Sequence, residues 1–268
     1  MKKSIIIICI VLVTLSVTAF TIFKKDKTEV TTTKTTALND IAVNTPQTNK
    51  KDTEIFEDFI YDVGTRFGPI KKSDLQKVTS ISDFMSQETL NSIVDLKSVR
   101  VIIVKDERQT DIQELGYTKD LTSSQLKLLQ SLDYSEGFNV RAEFTVINPE
   151  TGLVENNYDS PHLSVVPEKQ AQYALSKDQL KKYLKDNTEA EREGVNPKKL
   201  RPAKLYFTVT KLGTIENVRL DRGSYYPKVD NKMIELIKTL PETWTPAENE
   251  KGEKVDQELV VSFGLMGC

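Results

Sequence analysis

The alternation of apolar and polar side chains is clearest towards the C-terminal end of the chain. Leu205, Phe207 and Val209 share one face of a strand, and Lys211-Leu212-Gly213 turns it, since glycine supplies the positive φ that hairpin connections require. Ile215, Val218 and Leu220 mark the return strand. Met233, Ile234, Ile237 and Leu240 then recur at helical spacing, which predicts a helix from about Val229 to Leu240, stopped by Pro241. After Trp244-Thr245-Pro246-Ala247 and a turn at Gly252, the residues Val255, Gln257, Leu259, Val261 and Phe263 fall on one face of a final strand. The predicted order is ββαβ.

Upstream, residues 54–168 read as a separate α+β domain. Phe59-Ile60-Tyr61-Asp62-Val63 predicts its first strand, and Ser73 to Met85 a helix with Ser73 as N-cap. Val99 to Val104 is a strand, and Thr122 to Leu132 a capped helix with Leu126, Leu129 and Leu132 at helical spacing. Phe138 to Ile147 is a strand, Asn148-Pro149-Glu150-Thr151-Gly152 a hairpin turn, and Leu153-Val154 the start of its return. His162 to Val166, ended by Pro167, is the last short strand. The hairpin at Phe144-Thr145-Val146 parallels the one at Phe207-Thr208-Val209, and Gln-Leu-Lys occurs in the helix before each. Such a pair suggests an internal repeat, but the ordinary likeness of hairpins accounts for it more readily.

The beginning of the chain has a different pattern. Lys2 and Lys3 precede an uncharged run from Ser4 to Phe23, and Lys24, Lys25 and Lys27 follow. A helix over that run is roughly 30 Å long, enough to cross a bilayer core. A cleaved signal peptide is the competing reading, with Val17-Thr18-Ala19 as the cleavage site; the apolar run continues through Phe20, Ile22 and Phe23, which favours an anchor. Ile8 stands before Cys9 where a lipoprotein needs a small residue. Residues 24–53 are Thr-rich and short of aromatics, which predicts a flexible linker with a mean reach of about 30 Å and an extended reach of about 100 Å.

Composition narrows the candidate chemistry. A net charge of −2 in 268 residues, with both signs mixed, argues against a nucleic-acid surface. Cys9 lies in the apolar run and Cys268 is the last residue, so no disulfide is expected within the soluble part. His162 is the only histidine, which excludes a multi-histidine metal site, and it reads as a surface or strand-edge residue beside Pro161. Val63-Gly64-Thr65-Arg66-Phe67-Gly68 lacks the Gly-Lys-Ser/Thr ending of a phosphate loop. No cofactor, metal or catalytic activity is expected.

The ordered set of C-terminal features resembles the C-terminal domain of the TonB family of periplasmic energy transducers. Trp244-x-Pro246-Ala247, followed by Gly252, Val255 and the last strand, carries the resemblance, with Gly213 in the hairpin. Asp178-Gln179-Leu180-Lys181-Lys182-Tyr183-Leu184-Lys185 is similar to the helix that opens that domain. The predicted fold class is therefore α+β: a transmembrane helix or signal peptide in 1–23, a linker in 24–53, a domain of unassigned role in 54–168 and a TonB-like domain in 170–268. Trp244, Pro246, Ala247, Gly213, Gly252 and Val255 are expected to be structural. The resemblance implies that the last strand is a sheet edge that accepts an extended segment of an outer-membrane transporter. The partner-binding positions would then be Gln257, Glu258, Leu259, Val260, Val261, Ser262 and Phe263.

It also implies a single-pass inner-membrane protein with its C-terminal part in the periplasm. Its partners would be an outer-membrane transporter or other envelope protein and a proton-motive motor complex in the inner membrane. Two features depart from the family. Pro46 is the only proline in the linker, and Ser16 is followed four residues later by Phe20, where the family carries a histidine in its membrane helix. The alternative function is an envelope scaffold or sensor subunit that uses the same fold only to bind a partner.

Overall fold

The computed structural model describes residues 56, 58–241 and 243–266. The expected anchor at Ser4–Phe23 and the linker at 24–53 lie outside the described residues. Among the described residues no helix is long and apolar enough to cross a membrane.

The described part of the chain opens with β1 (Ile60–Gly64) and β2 (Gly68–Lys71), then α1 (Lys72–Leu75), a 3-10 turn at Ile81–Asp83, and α2 (Gln87–Ser92). The long strands β3 (Asp95–Lys105) and β4 (Arg108–Gly116) precede α3 (Ser123–Gln130), and β5 (Gly137–Ile147), β6 (Val154–Asp159) and β7 (His162–Val166) follow. The rest is β8 (Gln172–Tyr173), α4 (Lys177–Asp186), α5 (Glu189–Arg192), β9 (Ala203–Val209), β10 (Ile215–Arg222) and α6 (Pro227–Lys238). Two-residue strands β11 (Trp244–Thr245), β12 (Ala247–Glu248) and β13 (Lys254–Val255) lead to β14 (Gln257–Gly264). The fold is α+β with mixed and antiparallel sheets.

Six strands build the first large sheet, in the order β2-β7-β5-β3-β4 with β6 paired to the distal half of β5. Only the β2–β7 pair in it is parallel. Val99, Val101 and Ile103 of β3 and Phe138, Val140, Ala142 and Phe144 of β5 alternate onto one face, where they bury against Leu75, Ile81, Leu121 and Leu129. A Thr122–Gln125 capping box starts α3, and the buried Gln125 amide also donates to the Val99 carbonyl at 2.9 Å, which fastens the helix to the sheet.

Four strands build the second sheet, in the order β1-β14-β9-β10, all antiparallel. Its core holds Leu205, Phe207, Val209, Leu259, Val261 and Phe263 from the sheet, Leu180 and Leu184 from α4, and Val229, Met233 and Ile237 from α6. Phe59, Tyr61 and Val63 are buried in this same core. The predicted first strand is thus real, but it belongs to the C-terminal sheet and not to an isolated domain over 54–168. Residues 51–268 form one compact unit.

The predicted helix from Ser73 to Met85 is also corrected: only Lys72–Leu75 is α-helical, and Ile81–Asp83 forms a 3-10 turn. Between them the Asp83 carboxylate accepts from the Thr79 and Ser80 amides, while Leu121 donates to the Thr79 carbonyl. These side-chain and cross-chain bonds replace the helical ladder.

Candidate functional site

The sequence places the partner site on β14, and the structure changes the premise of that expectation. β14 is an inner strand: β9 pairs it along one side, from Gln257↔Val209 to Phe263↔Ala203. On the other side β1 pairs it from Gly64↔Val260 to Ile60↔Gly264. The backbone groups that strand addition would use at Val260, Ser262 and Gly264 are therefore taken by the chain's own β1. The next outward amide, that of Glu258, donates to Ser135 Oγ at 2.9 Å, a group from the loop before β5. Gln257 turns its side chain inward, where Oε1 accepts from the Ala171 amide at 2.7 Å.

β1 is held firmly. Phe59, Tyr61 and Val63 point into the core, Tyr61 and Thr188 share a hydroxyl hydrogen bond, and Asp62 meets Lys177 at 3.0 Å and Lys181 at 2.9 Å on α4. Burial raises the pKa of the Tyr61 phenol. The edge expected to be open is closed by a strand whose sequence partner lies about two hundred residues away, which is why no local pattern announces it.

The motif residues meet around one ring. Trp244 is 6% exposed and packs against Phe207 and Tyr173, each with ring centroids 5.5 Å away. Its backbone amide donates to the Gly213 carbonyl at 3.3 Å. Gly213 has φ +80°, and a Cβ there would lie 2.4 Å from the Trp244 carbonyl oxygen. Both conformation and close approach demand glycine at that turn. Ala247 is buried and pairs with Val255 in the small β12–β13 hairpin, whose turn contains Gly252 at φ +77°. A groove of about 510 Å³ opens beside this cluster, between the end of β1, β8 and the start of α4, with Val63, Tyr173, Leu180, Trp244 and Leu259 among its walls.

A second constellation is one that the sequence reading missed. The β3–β4 turn places Asp106 and Glu107 at φ 47° and 60°, both in the left-handed region. That turn drives the Glu107 carboxylate across to the second sheet. Lys204 Nζ of β9 donates to it at 3.0 Å, Tyr206 Oη at 2.8 Å and Arg222 of β10 at 3.0 Å, and Arg66, from the link between β1 and β2, adds a fourth contact. Only 10% of the Glu107 side chain and 9% of the Lys204 side chain remain exposed.

Burial by itself would raise the Glu107 pKa, but the bonds from Arg66, Lys204 and Tyr206 outweigh it and hold it at about 2. Burial lowers Lys204 despite the carboxylate beside it, and burial followed by the Glu107 charge pushes Tyr206 well above an ordinary phenol. The carboxylate is fully saturated, so the cluster joins two sheets and leaves no free base for proton transfer. The cluster carries no sequence signature, because its members are supplied by four separate stretches of chain.

His162 is exposed at the start of β7, with Nδ1 3.1 Å from the Ser160 carbonyl and its ring 5.2 Å from that of Phe67. No group of three or more His, Cys, Asp or Glu side chains able to hold a metal ion occurs among the described residues. Comparison of the chain with protein-family models, curated proteins and solved structures gives no match.

Proposed function

We propose that this chain is a membrane-tethered TonB-like protein that acts by binding other envelope proteins and takes part in energy-dependent transport across the envelope. The observation that supports this reading is the run α4, β9–β10 hairpin, α6, Trp-x-Pro-Ala element and β14, packed around Trp244 with Gly213 against its carbonyl. The uncharged run Ser4–Phe23, flanked by lysines, supplies the tether.

A second reading draws on one specific observation. β1 fills the side of β14 that a transporter segment would use, which favours a non-transducing scaffold or sensor subunit that binds its partner elsewhere. Two measurements separate the readings: uptake of an actively transported substrate in a deletion strain, and photocrosslinking in native membranes. The crosslinker is placed at Leu175, which is exposed on the rim of the groove, and at Ser16. Lost uptake with a Ser16 crosslink to a motor protein supports transduction. Normal uptake with a Leu175 crosslink to an envelope protein supports the scaffold. Normal uptake with neither crosslink defeats both.

A further inference from the structure

We infer that β6 is a self-association edge, through which two copies of this chain join their six-stranded sheets in antiparallel register about Asn156. β6 pairs with β5 on one side only, from Ala142↔Asp159 to Ile147↔Val154, with no shift in register. All but the last of its residues are exposed, and it contains no proline, lysine or arginine. Four large apolar side chains stand out around this hairpin: Ile147 58%, Leu153 64%, Val154 60% and Tyr158 57% exposed. A regular, unblunted strand with an apolar fringe is a template for pairing.

The direction of the free backbone groups follows from the hydrogen bonds. The Asn148 amide donates to the Leu153 carbonyl at 2.9 Å, so alternation turns Leu153, Glu155 and Asn157 towards β5. Val154, Asn156 and Tyr158 then face outward. In agreement, the Tyr158 amide donates to the neighbouring Asn157 side chain, at 2.8 Å. The ring of Tyr158 is already positioned, since Arg141 lies 4.3 Å over it and is itself paired with Glu143 at 3.0 Å.

β6 carries Glu155 and Asp159 and no basic residue, so self-complementarity across a two-fold axis, not opposite charge, is what points to a second copy. In a two-fold pair centred on Asn156, Val154 of each copy lies opposite Tyr158 of the other, a β-branched residue beside an aromatic one. Glu155 lies opposite Asn157, and Asn156 opposite its twin. No like charges meet. Centring the pair on Asn157 sets Glu155 against Asp159 twice, and centring it on Glu155 sets two carboxylates face to face. Registers centred between residues oppose an outward amide with an inward one and form no ladder. Centring on Val154 or Tyr158 leaves no more than three residues of β6 paired, so the register about Asn156 is the one that keeps a full ladder without like charges opposed.

The test uses the full-length chain with Cys9→Ser and Cys268→Ser, mildly oxidised in native membranes. Cysteines are introduced singly as Glu155→Cys, Asn156→Cys and Asn157→Cys. Directly opposite residues lie within disulfide range, so Asn156→Cys is expected to give a disulfide-linked dimer at roughly fivefold or more the yield of its neighbours. Asn156→Lys puts two like charges on the axis and is expected to weaken self-association of the detergent-solubilised chain about tenfold in sedimentation. Circular dichroism checks that this variant is folded. Equal yields at the three positions, a maximum at 155 or 157, disulfides to a different protein, or association unchanged by Asn156→Lys would each overturn the inference.

Discussion

β10 and β6 are both return strands of antiparallel hairpins, and both lie at the border of a sheet, yet they are treated in opposite ways. β10 is irregular: its register against β9 shifts between Glu216 and Arg219 and again between Leu220 and Arg222, with Asn217 at φ 53°. Its charges are tied inward, Arg219 to Glu258 at 3.1 Å and Arg222 to Glu107 at 3.0 Å. Bulges and anchored charges make it a poor template for another strand. The opposite border of that sheet, β1, lies against α4, whose lysines hold Asp62. β6 has no bulge, and its Glu155 carboxylate reaches only the Asn148 side chain of its own hairpin turn, at 3.0 Å. One sheet is finished within the chain, and the other is left with an edge to offer.

The largest effect is expected where the two sheets meet. Glu107→Ala leaves Lys204 buried beside Arg66 and Arg222 without its counter-charge, and should destabilise the protein by about 3–5 kcal/mol. Urea unfolding of variant and wild type measures it. A loss under about 1 kcal/mol would mean that the cluster is not a clasp between sheets.

The closed border of the second sheet supplies the next test. Val260, Ser262 and Gly264 pair with β1, and Glu258 turns its amide the same way, so Ser262→Pro removes a donor from the β1–β14 ladder and spares β9–β14. A cost of about 2–3 kcal/mol is expected, together with faster hydrogen exchange in residues 60–64. Unchanged exchange there would show that β1 does not depend on this ladder.

The pH dependence sharpens the same contrast. Glu107 has a folded-state pKa of about 2 against an ordinary 4.5, so its contribution is complete above about pH 5 and is lost as the pH falls through 2. With solvent screening taken into account this amounts to roughly 2 kcal/mol. In acid titrations Glu107→Gln should show a shallower loss of stability over that window. Parallel curves would assign the acid sensitivity to other carboxylates.

How much of this was legible in the sequence depends on the range of the interaction. Val99 to Val104, Leu205 to Val209 and Gln257 to Phe263 announce their strands because alternation is a property of a few neighbouring residues. β4 escaped because Arg108–Gly116 is mostly exposed and polar, with no apolar stripe to count. Phe59–Val63 reads correctly as a strand and was placed in the wrong sheet, since pairing of Ile60 with Gly264 is settled by the assembled core. The expected open edge failed for the same reason. Gly213 and Trp244 were visible as motif residues, but the 2.4 Å approach that makes the glycine obligatory is visible only in the fold. Glu107 looked like an ordinary turn carboxylate.

The smallest expected effect is also the most discriminating between the two sheets. Val63 and Val154 are both valines in border strands, one 4% and the other 60% exposed. Val63→Ala removes two buried methyl-sized volumes from a core shared with Leu180 and Trp244, and should cost about 2 kcal/mol. Val154→Ala, measured at protein concentrations too low for self-association, removes mostly solvent-facing surface and should change stability by no more than about 0.5 kcal/mol. A larger loss at Val154 in the monomer would mean that β6 contributes to its own fold as β1 does. In that case the apolar fringe would need no partner, and the contrast between a finished and an unfinished sheet would collapse. A change confined to high concentration would instead place the cost of the substitution in the pairing of two copies.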